Sequence, residues 1–123
     1  MRTFLRPLFI ATLLLATPTH AASIKAHFEA MNSTDATTKA VANTYLNGIV
    51  DSTMYMNAIL RGNHKKPAFC LPDGVSLNRE LLADIIEFTY RNAPKEKQDP
   101  TLNTGMIAII GLTNTYPCTG GQQ

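Results

Sequence analysis

Two cysteines, Cys70 and Cys118, are the only ones in the 123-residue chain, and each stands at the edge of an apolar helical pattern. Cys70 leads into Leu71-Pro72-Asp73-Gly74, a turn followed by an amphipathic run, and Cys118 comes directly after Tyr116-Pro117. In an oxidising compartment a lone pair of this kind bonds. The bridge would close a loop of about 50 residues, for which chain-entropy reasoning gives about 4 kcal/mol. Joining the start of one helix to the end of the next pins one end of an antiparallel helix pair. The competing role for Cys70 is a nucleophile with His27 or His64 as its base, which leaves Cys118 without a purpose.

The N-terminal residues supply the compartment. Arg2 and Arg6 precede an apolar stretch from Leu8 to Ala16, Pro18 ends it, and Thr19-His20-Ala21 places small residues ahead of a cut between Ala21 and Ala22. This is the layout of a secretory signal peptide over 1–21. The apolar run falls well short of the roughly 20 residues that span a bilayer. Residues 22–123 then have the length of one compact domain, with no membrane association after signal cleavage. The two N-terminal arginines carry the whole formal charge of +2, and without them 9 basic side chains face 9 acidic ones. A neutral domain argues against nucleic acid or an anionic membrane as its main partner.

Helical periodicity runs throughout, so the expected class is all-α, a small bundle of about four helices with one disulfide. Ile24 to Met31 reads as a first helix with Ile24, Phe28 and Met31 on one face. Asp35 caps a long second helix from Ala36 to about Arg61, where Val41, Tyr45 and Ile49 join Ala42, Leu46 and Val50 in a wide apolar stripe. Gly48 in its middle costs about 1 kcal/mol against alanine, which points to a close helix contact. Met54, Tyr55 and Met56 together sweep about 200° of helix surface, more than one core face takes. Either this segment is contacted on several sides within the molecule or it is the interface of a homodimer. Gly62 suits the left-handed position past a helix end, and Pro67 prevents resumption. Ser76 caps a third helix from Leu77 to about Asn92. Asp99 and Pro100 open a fourth, with Leu102, Met106, Ile109 and Ile110 inward.

Chemistry is sparse. The chain has no glycine-rich phosphate loop, no nucleophile elbow and no HExxH pattern. The two histidines of the mature chain have no carboxylate pattern beside them and make no metal site, and no cofactor is expected. Asp51 reads as an acid within the apolar helix, most simply a hydrogen-bonded structural one. His64-Lys65-Lys66 reads as a solvated loop. These residues point away from an enzyme.

Three stretches carry more. "YLNGIVDS" (Tyr45 to Ser52), "FCLPDGVSLNRELLADIIEFTYRNAP" (Phe69 to Pro94) and "IIGLTNTYPC" (Ile109 to Cys118) together resemble the Rap/Tai immunity family. The Cys-Leu-Pro-Asp-Gly-Val-Ser segment is the most specific part. The resemblance implies an all-helical periplasmic immunity protein of type VI secretion that tends to dimerise. Such a protein binds and blocks a peptidoglycan-cleaving amidase effector, protecting the cell from its own or its sisters' toxin. Many relatives carry another cysteine near the tyrosine-glycine helix, where this chain has Ala40-Val41-Ala42-Asn43. With that target class, the loop from Asn92 to Pro100 at the far end of the stapled hairpin becomes the expected contact, through Asn92, Lys95, Glu96, Lys97 and Gln98. A plain solvated turn is the other reading of the loop. A second function class is a helical binding module for a small hydrophobic ligand, seated on the methionine-rich helix.

Overall fold

The computed structural model describes residues 22–119. Residues 1–21, read above as a signal peptide, lie outside the described residues. The order is α1 (Ile24–Met31), α2 (Ala36–Gly62), α3 (Arg79–Arg91), a 3-10 turn (Lys95–Lys97) and α4 (Thr104–Thr115). Among the described residues the only sheet-like pairing is an isolated antiparallel bridge between Ser23 and Asn103. The all-α bundle with one disulfide is therefore what the chain forms.

The two first helices begin where local chemistry dictates. The Ser23 hydroxyl accepts from Ala26 N at 3.2 Å, and the Asp35 carboxylate accepts from Thr38 N at 2.6 Å. These are side-chain caps for amides that a helix start leaves unpaired. α2 buries a single stripe of Ala42, Leu46, Ile49, Thr53 and Asn57. Its end differs from expectation. Gly62 is the last helical residue, and His64 takes the left-handed turn with φ 54. Its amide donates to Arg61 O at 3.0 Å, and the next amide, of Lys65, donates to Leu60 O at 2.8 Å.

α3 starts at Arg79 with Asn78 as cap, its side chain accepting from Leu81 N at 2.8 Å, rather than at Leu77 with Ser76. α4 starts at Thr104 with Asn103 as cap, accepting from Met106 N at 3.1 Å. Its buried face is Thr104, Ile107, Ala108, Gly111 and Leu112, while Met106 and Ile110 face out. α4 is apolar nearly all round, so periodicity does not select its inner side. Asp99, expected to cap α4, instead accepts from the amide and hydroxyl of Thr101 in a tight turn.

α3 and α4 pack as an antiparallel hairpin. Gly111 is why they lie close: a Cβ there would sit 2.5 Å from both Ile85 Cγ2 and Thr89 Oγ1. Leu82 and Ile86 from α3 meet Leu112 and Ala108 from α4, Leu46 from α2 and Ile24 from α1 in one core that also encloses Phe69. Burying each such large side chain contributes about 1.5–3 kcal/mol.

His27 is the buried group least at home in this core. It is 4% exposed, and its Nδ1 has no hydrogen-bond partner among protein groups. Burial holds its pKa below the ordinary 6.5. The unfolded chain therefore binds a proton on this side chain at higher pH than the folded one. Stability is full above pH 6.5 and falls as pH drops below it, until the buried imidazole also titrates. The midpoint of thermal unfolding is expected to decline as pH falls below 6.5, and His27→Leu to flatten that decline. Equal slopes for the two proteins across this window would contradict it. Asp35 and Asp99, held low by bonds from Thr38 and Thr101, titrate at more acid pH and are separable from this effect.

Candidate functional site

The disulfide joins Cys70 to Cys118, residues 48 apart in sequence, with Cα atoms 4.9 Å apart. The Cys70 amide also donates to Tyr116 O at 2.8 Å. Cys70 stands nine residues before α3, so the bridge fixes the irregular segment 67–71 against the end of α4 rather than the first turn of α3 itself. The same segment is held from its other side. Asn57 of α2, 5% exposed, donates from Nδ2 to Phe69 O at 2.7 Å and accepts at Oδ1 from Ala68 N at 2.8 Å. A nucleophilic role for Cys70 needs a free thiol, and its sulfur is in the bond.

At the opposite end of the hairpin lies the loop from Asn92 to Pro100, and it is fastened at both roots. Asn92 caps α3: its backbone amide and its Nδ2 donate to Phe88 O at 3.0 and 2.8 Å. The Gln98 side chain crosses the loop and donates from Nε2 to Ala93 O at 2.7 Å and Arg91 O at 3.2 Å. The Tyr90 hydroxyl donates to Gln98 O at 3.0 Å. α1 then braces Tyr90 and Arg91, since the Phe28 ring lies 5.7 Å from the Tyr90 ring and 5.5 Å from the Arg91 guanidinium carbon. Behind the loop residues 22–25 are laid against its exit: Ile24 N donates to Leu102 O at 2.7 Å, Lys25 N to Pro100 O at 3.2 Å, and the Thr104 hydroxyl to Ala22 O at 2.8 Å.

This geometry divides the five expected contact residues. The amide groups of Asn92 and Gln98 close the loop. Lys95, Glu96 and Lys97 form the 3-10 turn at its tip, are exposed, and take part in none of the ion pairs among the described residues. The tip thus offers two ammonium groups and a carboxylate on a base with little freedom left. Sequence reasoning missed Asn57, Tyr90 and Phe28. An asparagine on the otherwise apolar side of α2 was the available signal for the first.

The three residues read as one interface, Met54, Tyr55 and Met56, fall on different sides of α2. Met54 (41% exposed) lines an open cleft of about 500 Å³ with Ala58 and Arg61 of α2 and with Leu71 and Val75 of the turn after Cys70. Tyr55 (71% exposed) lies one residue round, on the outer side. Asp51 is exposed, not a buried acid, and makes none of the described ion pairs. Among the described residues no three His, Cys, Asp or Glu side chains gather as metal ligands, and no helix is long and apolar enough to cross a membrane.

No family model, no curated protein and no solved structure matches the chain.

Proposed function

We propose that this protein is a periplasmic inhibitor that binds a type VI secretion peptidoglycan amidase effector and protects the cell carrying it. The observation that carries the reading is the fastened loop with its bare charged tip. An inhibitor that fills a cleft binds more tightly when its inserting element is already ordered, because less freedom is lost on association. Lys95, Glu96 and Lys97 have the chemistry of a ligand for a cleft that normally accepts a charged peptide stem. The resemblance of the tyrosine-glycine helix, the Cys-Leu-Pro-Asp-Gly-Val-Ser segment and the terminal Tyr-Pro-Cys to the Rap/Tai family supplies the target class. A disulfide is compatible with export to an oxidising compartment.

Replacing Lys95, Glu96 and Lys97 by glycine and serine, with Gln98 retained as the loop's tie, tests this. Thermal unfolding is expected to stay nearly unchanged, since these side chains are exposed. Inhibition of peptidoglycan cleavage by a type VI amidase effector that the unaltered protein blocks is expected to be lost, because truncating one charge buried in a complex costs about 2–5 kcal/mol. Undiminished inhibition by the altered protein would overturn the assignment of the loop.

The open cleft of about 500 Å³ favours a second reading, a binding module for a small hydrophobic ligand between Met54, Leu71 and Val75, with Arg61 at its rim. Native mass spectrometry of the purified protein separates the two: a retained apolar molecule, lost in Ala58→Trp, supports the module.

A further inference from the structure

The hairpin of α3 and α4 has an outer face that its own core does not use. Leu82 and Ile86 of α3 and Ala108 and Leu112 of α4 turn to the core, while Gly111 lies under Ile85 and Thr89 at the helix contact. With about 100° of turn per residue, Phe88 lies about 60° from Ile85 and Ile110 about 100° from Gly111. Each lies on the side away from the core residues of its own helix. The antiparallel register set by Gly111 brings Ile110 level with Phe88, and Met106, one turn nearer the loop, level with Asn92. All three apolar side chains are exposed, Phe88 at 66%, Met106 at 45% and Ile110 at 41%. α4 has no ionisable side chain from Thr104 to Thr115. A helix face meant for water carries charge; this one presents an aromatic ring, a thioether and a β-branched side chain side by side.

The position of this face says what covers it. The backbone amide and Nδ2 of Asn92, at the loop root, both end on the Phe88 carbonyl, so the patch and the charged tip are one continuous piece of the hairpin. The tip is a turn of 3 residues, far fewer than the roughly 20–30 per side that a specific complex uses. A protein that accepts the tip therefore also covers ground beside it. On the α1 flank that ground is paired charge: Arg91 bonds Glu87 at 2.7 Å and packs on Phe28, and Lys25 faces Glu29 at 3.9 Å. On the outer flank it is apolar. The centres of protein interfaces are depleted in charge and enriched in phenylalanine and methionine. We propose that Phe88, Met106 and Ile110 form the apolar centre of the contact with the amidase effector, seated on an apolar shelf of that enzyme beside the cleft the tip enters. The inference rests on the inhibitor reading and adds to it the surface that anchors the complex, with Phe88 as its largest side chain.

Calorimetric titration with a type VI amidase effector that the unaltered protein blocks tests this. Phe88→Asp and Ile110→Lys each change an exposed position, so circular dichroism and the unfolding temperature are expected to stay near those of the wild type. Each is expected to weaken binding at least about thirtyfold, the loss that marks an anchor at the centre of an interface. Phe88→Leu, which keeps most of the apolar area, is expected to retain most of the affinity. Val41→Asp, at an equally exposed position on α2, is the control and is expected to bind within about twofold of the wild type. Patch variants that bind as tightly as the wild type, while the tip variant fails, would overturn the proposal and leave the inhibitor reading standing. A wild type that blocks no type VI amidase effector would end both. A free protein that self-associates, and that Phe88→Asp makes monomeric with effector binding undiminished, would assign the face to a second copy and overturn the proposal.

Discussion

Removing the Cys70–Cys118 bond is expected to cost the domain about 4 kcal/mol. The bond spans 48 residues of sequence, and that span contains all of α3 and α4. Cutting it returns the freedom of that long loop to the unfolded chain, and the loss grows only slowly with loop length. For a domain whose whole stability is about 5–15 kcal/mol, the loss is about a quarter or more of what holds it folded. The measurement is urea unfolding of the oxidised protein against the Cys70→Ala/Cys118→Ala variant. The midpoint is expected to fall, with a somewhat steeper slope because the uncrosslinked unfolded chain exposes more surface. A shift worth less than about 1 kcal/mol would mean that the reduced chain already keeps segment 67–71 in place through its hydrogen bonds.

Asn57→Ala is expected to cost about 2–5 kcal/mol, although it removes one modest polar side chain. Both of its amide atoms are engaged: one receives the Ala68 amide and the other donates to the Phe69 carbonyl. Phe69 is 1% exposed, so its neighbouring main chain has poor access to replacement water. A buried donor or acceptor left without a partner costs about 1–3 kcal/mol, and this substitution orphans one of each. Asn47→Ala, on an exposed position of the same helix, is the control and is expected to change stability by less than about 0.5 kcal/mol. If the two alanine variants unfold at the same urea concentration, the Asn57 bonds are dispensable. Asn57 and the disulfide secure the same five residues from opposite sides. The two losses measured together are therefore expected to miss their sum by about 0.5–3 kcal/mol, as for other groups sharing one structural unit.

Local chemistry made much of this fold legible. Asp35 announced the start of α2 because its capping bond reaches only to Thr38, three residues on. The disulfide followed from the positions of two cysteines against the helical pattern. What escaped were features decided by distant parts of the chain. Asp99-Pro100 has the local form of a helix start, yet the backbone there makes a tight turn bonded to residues 22–25, and Asn103 takes the cap. At the start of α3 both Ser76 and Asn78 are good caps, and Leu77 is buried in either register, so burial pattern alone does not choose. In α4, Met106, Ile109 and Ile110 are as apolar as Ile107 and Leu112, and the inner face is set by Gly111 fitting under Ile85 and Thr89. For the candidate site, the charged tip was readable as a polar, proline-bounded stretch. Its fastening was not, since it depends on Gln98 folding back and on Tyr90 meeting Phe28 from another helix.

The contact between Ala22 and Thr104 sets an order of assembly. It joins groups 82 residues apart, so its closure entropy is met only after the intervening helices have gathered. The earliest part of the domain to be made is thus the last to be locked. A chain caught partway through collapse can hold α3 against α4, with the loop's own bonds made, while Phe28 is not yet packed on Tyr90 and Arg91. The brace that α1 adds to the tip is thus the last to arrive, after the hydrogen bonds that fasten the loop to its own roots.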